Sequence, residues 1–166
     1  MNRKRNLVLG LTIAVAAVVM LASVAVASDD HKGGSKEKGK SKATRIVVVE
    51  RATTDTAIDN GIAGDTIGDT LAFGNELFDK TNTTKVGTDQ GSCVRTVVTP
   101  GQKAYECSWT NSLKGGQIVV QGPFLDAGDS VMAITGGTGK YRNARGTMDL
   151  HALSIDTFQF TFHITK

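Results

Sequence analysis

Residues 118–146 read IVVQGPFLDAGDSVMAITGGTGKYRNARG and carry the strongest signal for the class of fold. Residues 118–120 are a β-branched run, which we expect to end at Gly122-Pro123 because proline has no N–H to donate within a central strand. A second short strand is predicted over 131–135. Glycines recur at positions 136, 137, 139 and 146, which predicts positive φ angles or close backbone approach there. The stretch therefore predicts a bulged strand connection in an all-β domain.

A phosphate-binding loop is the alternative interpretation of these glycines. Such a loop needs Gly-Lys followed by Ser or Thr at the start of a helix, whereas Gly139-Lys140 is followed by Tyr141 and by no helix of useful length. A dinucleotide site would require strands and helices to alternate around the glycines, and they do not. We therefore prefer the strand connection to nucleotide binding.

Strand-like segments continue in both directions along the chain. They lie at 45–51, 69–78, 85–98, 104–113, 144–153 and 157–165, with a loop over 53–68 and turns at 99–102 and 114–116. With the stretch above, they make about eight strands and no convincing helix. The short connections indicate antiparallel pairing in a sandwich or a closed barrel, and closure would hide the strand edges.

The amino end predicts export. Residues 1–27 combine a basic start, an apolar run over 7–27 and Ala25-Val26-Ala27 ahead of Ser28, a pattern typical of a secretory signal peptide. The alternative is an uncleaved membrane anchor formed by 7–27, whose length would span a bilayer. Residues 28–44 are rich in Lys, Gly and Ser and predict a disordered linker. The expected folded domain is therefore 45–166, and the expected location is extracellular.

The charge balance of this domain argues against a nucleic-acid-binding surface. The chain has 19 Lys and Arg residues and 16 Asp and Glu residues, of which eight and three precede position 45. The domain keeps 11 basic and 13 acidic residues, so the basic character of the chain resides in its amino end. We expect no nucleic-acid partner, and membrane contact only through 7–27.

Alternation within two strands predicts which side chains face the interior. Tyr105, Cys107 and Trp109 share one face of their strand, and Phe158, Phe160 and Phe162 share one face of theirs. An eight-stranded barrel leaves room for side chains or for one small ligand. The aromatic rows therefore either line a cavity or fill the core, and the sequence leaves both open.

The two cysteines, Cys93 and Cys107, lie at equal distances in sequence from the predicted turn at Pro100. They should stand opposite each other on neighbouring strands, and in an oxidising compartment this favours a cross-strand disulfide. The alternatives are a metal pair or a catalytic thiol. Two thiols without a nearby His make a poor zinc site, and no activating base is evident. We predict a disulfide and no metal.

Four segments of the domain resemble plant allene oxide cyclase. They are GDTLAFGNELF at 68–78, KVGTDQGSCV at 85–94, VQGPFL at 120–125 and AITGGTG at 133–139. The run GGTGKYR at 136–142, followed by ARG, is also similar to the dirigent proteins, which share that barrel. The resemblance covers nearly all of 45–166. It implies an all-β, eight-stranded antiparallel barrel with an apolar cavity, and a homotrimer is among the assemblies to expect.

The resemblance also implies a type of chemistry. In the cyclase, an unstable fatty-acid epoxide closes into a ring inside the cavity. A carboxylate stabilises developing positive charge, a bound water steadies the epoxide oxygen, and the walls enforce one stereochemistry. Glu50 matches the carboxylate, Asn75 matches a residue that holds the water, and Cys93 matches a cavity cysteine. Tyr105 matches an aromatic wall position. No cofactor is expected.

Two further aromatic residues, Trp109 and Phe124, are predicted to contact the ligand together with Tyr105. The remaining water-holding positions of the cyclase are an Asn, a Ser and a Pro. They fall at Ala52, Ile58 and Asp59 here, so the water site would be largely missing.

The interior face that carries Cys93 also carries Arg95. A buried Arg needs a carboxylate partner, and Glu50 is the partner that we expect first. Their pairing would point to a structural or anion-binding role for both groups.

These residues predict an exported barrel that binds a small apolar or phenolic molecule and directs a stereoselective cyclisation or coupling. If the protein is an enzyme, it would be an isomerase. The alternative is a non-catalytic carrier or an envelope structural module with a disulfide-stapled, filled barrel. An open apolar cavity with Glu50 at its floor favours the first interpretation. A barrel plugged by Tyr105, Trp109 and the phenylalanine row favours the second.

Overall fold

The computed structural model describes residues 43–165, so the predicted signal peptide and nearly all of the predicted linker lie outside the described residues. Within 43–165 the chain forms ten strands and one short 3₁₀ helix, Gly139–Tyr141. No helix in this range has the length and hydrophobicity of a membrane span. The strands are β1 (Thr44–Arg51), β2 (Thr56–Ile58), β3 (Thr70–Phe73), β4 (Glu76–Asp79), β5 (Lys85–Thr99), β6 (Gln102–Leu113), β7 (Gly116–Leu125), β8 (Ser130–Gly137), β9 (Arg145–Ala152) and β10 (Thr157–Thr165).

The strands form one antiparallel sheet that closes on itself. Their order is β2-β3-β5-β4-β1-β10-β9-β8-β7-β6, and the pairing of β5 with β6 completes a ring. The ring contains β1 and β4 to β10, which confirms the predicted all-β, eight-stranded barrel. Closure pairs the edges that an open sheet of this size would expose.

Two predicted elements differ in detail. The strand predicted over 69–78 is divided into β3 and β4, which pair with successive parts of β5. The break falls at Gly74-Asn75. The predicted loop 53–68 contains the short strand β2, which pairs with β3 outside the ring.

The β5–β6 hairpin places the two cysteines opposite each other, as predicted, with the help of a bulge. Next to the turn, Thr99 pairs with Gln102 and Val97 with Ala104. In that register Cys93 would face Ser108. An extra residue on β5 between Arg95 and Val97 shifts the register by one, so that Cys93 pairs with Cys107.

Residues 118–146 contain a bulge, as predicted: Val119 and Val120 of β7 pair with Gly136 and Ile134 of β8, which leaves Thr135 as the extra residue on β8. The expectation that the strand ends at Gly122-Pro123 is wrong, because β7 runs on to Leu125. Pro123 pairs with Glu106 on β6, whereas the pairing of β7 with β8 reaches only as far as Gln121. Pro123 therefore lies beyond the paired part of β7 and β8, and its missing N–H removes no hydrogen bond between these two strands.

Three of the four glycines singled out in this stretch, at positions 136, 137, 139 and 146, behave as predicted. Gly139 and Gly146 have φ angles of 56° and 126°, and a Cβ on Gly146 would collide with the carbonyl oxygen of His163. Gly137 meets the backbone closely, also as predicted. Gly136 has neither a positive φ nor a close backbone contact, so the prediction for that position is wrong.

The barrel interior is filled at one end. Large apolar side chains pack there with almost no exposure, among them Ile118, Met132, Met148, Phe162 and Ile164. The opposite end, where β1 and β7 finish and β10 begins, holds a cavity.

Candidate active site

The cavity has a volume of about 370 Å³ and is bounded mainly by aromatic and aliphatic side chains. The predicted ligand contacts Tyr105, Trp109 and Phe124 all line it. The phenylalanine row is divided, since Phe158 and Phe160 line the cavity and Phe162 belongs to the filled core. The other wall residues are Leu71, Phe73, Cys93, Cys107, Leu150, Ala152, Ser154 and Ile155, and the acidic ones are Glu50, Asp55 and Asp126.

Aromatic contacts hold the walls of the cavity in place. Trp109 lies edge-on to Phe73 with ring centroids 5.8 Å apart, and 5.7 Å from Phe160. Phe124 and Phe158 form a second edge-to-face pair at 6.0 Å. Such pairs add to the free energy of burial and prefer defined orientations, so the cavity has rigid walls of fixed shape.

Glu50 reaches the cavity from the end of β1, where it stands between Leu77 of β4 and Phe158 of β10. Only 6% of Glu50 is exposed. Its Oε1 accepts a hydrogen bond of 2.9 Å from Nδ2 of Asn75. The structure thus brings together two of the predicted catalytic residues.

Asn75 anchors the chain around Glu50. Its Nδ2 also donates to Asp55 at 2.7 Å, and its Oδ1 accepts from the backbone N–H groups of Thr53 and Thr54 and from the Thr54 hydroxyl. Both amide protons and the carbonyl oxygen are therefore engaged by protein groups. The resemblance implies that Asn75 holds a bound water, and in the structure its side chain also fixes the position of Glu50.

A second buried carboxyl group lies behind Glu50. Asp89 of β5 is 2% exposed, and its Oδ1 accepts from the backbone N–H of Asn75 at 3.2 Å. Burial, reinforced by the charge of Asp89, raises the pKa of Glu50 to about 9. Burial also raises the pKa of Asp89 to about 6, although its hydrogen bond with Glu50 opposes that rise. At neutral pH the pair therefore holds one proton on Glu50 and one negative charge on Asp89.

The proton on Glu50 explains an otherwise unsatisfied atom. Oδ2 of Asp89 is buried and has no donor among the hydrogen bonds of residues 43–165. A buried acceptor needs a donor, and a protonated Glu50 supplies it. The two carboxyl groups thus act as one unit.

The predicted disulfide joins Cys93 to Cys107, with their Cα atoms 4.0 Å apart. Both residues belong to the cavity wall. In this state Cys93 presents a disulfide sulfur to the cavity, so a catalytic thiol at this position would first require reduction of the bond.

Arg95 does not pair with Glu50, contrary to expectation. Its Nη1 donates to Asp126 at 2.6 Å, and its Nε lies 2.8 Å from Oδ1 of Asp65, an ion pair without hydrogen-bond geometry. The guanidinium carbon also lies 3.7 Å from the centre of the Tyr105 ring. Arg95 thus supports one wall of the cavity from behind, and the carboxyl pair has no ion-pair partner in the part of the chain that the structure describes.

Three acidic residues of the site were missed by sequence reasoning. Asp89 carried a usable signal, since it lies on the same face of β5 as Cys93 and Arg95. Asp55 and Asp126 lie in connections between strands, where acidic residues are ordinary. Within the described residues, no set of His, Cys, Asp or Glu is arranged to hold a metal ion.

The barrel is similar to several known proteins. The sequence model of the family described as allene oxide cyclase matches residues 46–165. A solved structure named pyocyanin demethylase is 27% identical, with a TM-score of 0.66 over 74% of this chain and 98% of that chain. The exo-specific intermolecular Diels-Alderase AbnU is 15% identical, with a TM-score of 0.62 over 75% and 99%. The pterocarpan synthase dirigent protein PsPTS1 is 18% identical, with a TM-score of 0.61 over 75% and 95%.

Proposed function

Since this chain belongs to the allene oxide cyclase family, we propose that its barrel binds a small apolar or phenolic molecule and directs a stereoselective cyclisation or coupling. The observation that carries the proposal is the cavity of about 370 Å³ with Glu50 in its wall. That volume lies within the range of roughly 300–1,000 Å³ found for small-molecule sites. Relatives named for a demethylase, a Diels-Alderase and a dirigent protein support a reacting ligand in a barrel of this kind.

The chemistry would come from the Glu50–Asp89 pair. When a ligand binds, the protonated Glu50 donates its hydrogen bond, or its proton, to an oxygen or nitrogen atom of the ligand instead of to Asp89 as charge develops there. The negative charge of Asp89, held in a site with little water, stabilises positive charge that forms on the ligand. The aromatic walls hold the ligand in one conformation and so select one product. Such an enzyme would be an isomerase when the reaction is an intramolecular cyclisation.

The free volume favours binding over a filled structural barrel. Phe158, Phe160 and Trp109 surround the space without occupying it. A carrier would share this cavity, so the distinction between a carrier and an enzyme rests on Glu50. A carrier tolerates Glu50→Gln without loss of function, whereas the proposed chemistry does not.

The test compares a blocked cavity with a matched control. Ala152 lines the cavity, and Ala133 is an exposed residue on the outer face of β8. We expect native mass spectrometry with a library of small aromatic compounds to detect complexes for the wild type and for Ala133→Trp, and none for Ala152→Trp. Equal complex formation by both variants would place binding outside the cavity and contradict the proposal. Hits would then be incubated with wild type and Glu50→Gln, and conversion by the wild type alone would separate enzyme from carrier.

We further propose that the protein acts outside the cytoplasm. The Cys93–Cys107 disulfide is consistent with an oxidising compartment. The test is the mass of the protein recovered from culture medium. Loss of residues 1–27 supports export with cleavage, and an intact chain found only in the membrane fraction supports the anchor.

A further inference from the structure

All titratable side chains in the cavity wall are acidic or phenolic. Apart from Tyr105 they are Glu50, Asp55 and Asp126, and Asp126 is already paired with Arg95. No ion pair within residues 43–165 joins Glu50, Asp55 or Asp89 to a Lys, Arg or His side chain. These three carboxyl groups, here called the acidic cluster, converge on Asn75: Glu50 and Asp55 accept from its side-chain amide, and Asp89 accepts from its backbone N–H.

One feature within the acidic cluster and one beside it point to a ligand. Oδ2 of Asp89, in a residue that is 98% buried, has no hydrogen-bond partner within the described chain. Beside the cluster, the cavity wall presents six aromatic rings, whose faces attract cations and flat rings. The rings are Phe73, Tyr105, Trp109, Phe124, Phe158 and Phe160.

We propose that the preferred ligand of the cavity is a planar aromatic cation, such as an N-alkylated nitrogen heterocycle. Its ring lies against the aromatic walls, and its positive charge faces Glu50 and Asp55. The inference rests on the proposed function, because it assumes that a small molecule binds in this cavity. An anionic ligand such as a fatty acid is disfavoured, since its carboxylate would face like charges without a basic partner in the wall.

Binding of a cation should release a proton from the cluster. Glu50 faces Asp89 of β5, Asp55 after β1 and the amide of Asn75, and β10 contributes the apolar Phe158. The high pKa of Glu50 comes from burial and from neighbouring negative charge, so a bound cation lowers it. By linkage, the affinity for the cation rises with pH between about 6 and 9, by at most tenfold per pH unit.

The experiment uses three probes of similar shape and different charge. They are N-methylacridinium (cationic), phenazine (neutral) and anthracene-9-carboxylate (anionic). Trp109 is the only tryptophan of the chain and lines the cavity, so quenching of its fluorescence reports binding there. Titrations at pH 6, 7, 8 and 9 give each Kd, and calorimetry in two buffers of different ionisation enthalpy counts the released protons.

We expect N-methylacridinium to bind at least about tenfold more tightly than phenazine at pH 8. An adjacent opposite charge shifts a carboxyl pKa by about one to three units, and by linkage the affinity for the cation changes by the corresponding factor. Its Kd should fall as pH rises, whereas the Kd of phenazine should not change. Glu50→Gln should abolish the pH dependence and reduce the preference without loss of phenazine binding. Glu106→Gln, the same change on the exposed face of β6, should retain the pH dependence and the preference for the cation.

Each contrary outcome has a separate meaning. Equal affinity for the three probes, or tightest binding of the anion, overturns the preference for a cation and leaves the proposed function intact. A cation preference that is independent of pH and survives in Glu50→Gln overturns the role of the acidic cluster. Absence of binding by all three probes contradicts this inference and the proposed function together.

Discussion

Substitution of Glu50 by Gln should make the protein more stable, because burial penalises the ionised carboxylate. The pKa of Glu50 is raised from 4.5 to about 9, so the folded state holds a proton that the unfolded state loses above pH 4.5. The stability from this group is therefore complete below about pH 4.5 and is lost as pH rises towards 9. At 1.36 kcal/mol per pH unit, the loss is about 3 kcal/mol at pH 7 and about 6 kcal/mol at pH 9.

Glutamine resembles the protonated side chain and does not titrate. Its oxygen can accept the hydrogen bond from Asn75, and its amide can donate to the unpartnered Oδ2 of Asp89. Glu50→Gln should thus exceed the wild type by about 3 kcal/mol in the free energy of unfolding at pH 7. Asp89, whose pKa is raised to about 6, should still cause a smaller loss of stability between about pH 4 and 6 in both proteins.

Urea denaturation at pH 5, 7 and 9 with the disulfide intact measures these differences. Glu106→Gln provides the control, since it removes the same charge from an exposed position and should leave the pH profile of the wild type unchanged. If Glu50→Gln has the same stability as the wild type at pH 7 and the same dependence on pH, Glu50 is ionised in the folded state and the reasoning is refuted.

Three other substitutions test the structure around the cavity. Loss of the disulfide in a Cys93→Ser, Cys107→Ser double variant should lower the free energy of unfolding by about 3 kcal/mol in urea denaturation, because the bond closes a loop between residues 14 positions apart in the unfolded chain. No change would mean that the bond does not constrain the unfolded chain. Gly91→Ala should lower the free energy of unfolding by about 1–3 kcal/mol and change the Trp109 emission spectrum, because the added Cβ collides with Trp109. An unchanged spectrum would contradict the close packing of Gly91 against Trp109. Asn75→Ala should lower stability by about 2–4 kcal/mol through loss of buried hydrogen bonds. It should also raise the apparent pKa of any activity that depends on Glu50, because the hydrogen bond from Asn75 lowers the pKa of that carboxyl group; a stability effect with an unchanged pH profile would limit Asn75 to a structural role.

The fold was predictable because its signals are local. Alternation on the strand that carries Cys107 and on the strand that carries Phe160 identified interior faces correctly, and turn residues marked most strand ends. The pairing of Cys93 with Cys107 was predicted correctly, although the argument for it was incomplete. The equal spacing about Pro100 places Cys93 opposite Cys107 only because of the bulge between Arg95 and Val97.

The candidate site was predictable only in part, because its electrostatics depend on distant segments. Resemblance identified Glu50 and Asn75, but nothing in the sequence indicated that Asp55 and Asp89 both accept hydrogen bonds from Asn75, one from its side chain and one from its backbone N–H. The pairing of Arg95 with Asp126 was missed for the same reason. A strand pattern indicates that a side chain faces inward, but it does not indicate which charge it meets there.

The most direct test of a ligand-binding cavity above Glu50 is a crystal structure of the full chain grown with N-methylacridinium at pH 8. We expect the three rings to lie against Trp109 and Phe158, with the charged nitrogen nearest Glu50 and the Cys93–Cys107 bond in the adjacent wall. Density for the ligand only on the outer surface of the barrel, or a cavity closed by its own aromatic side chains, would contradict both the site and the function proposed for it.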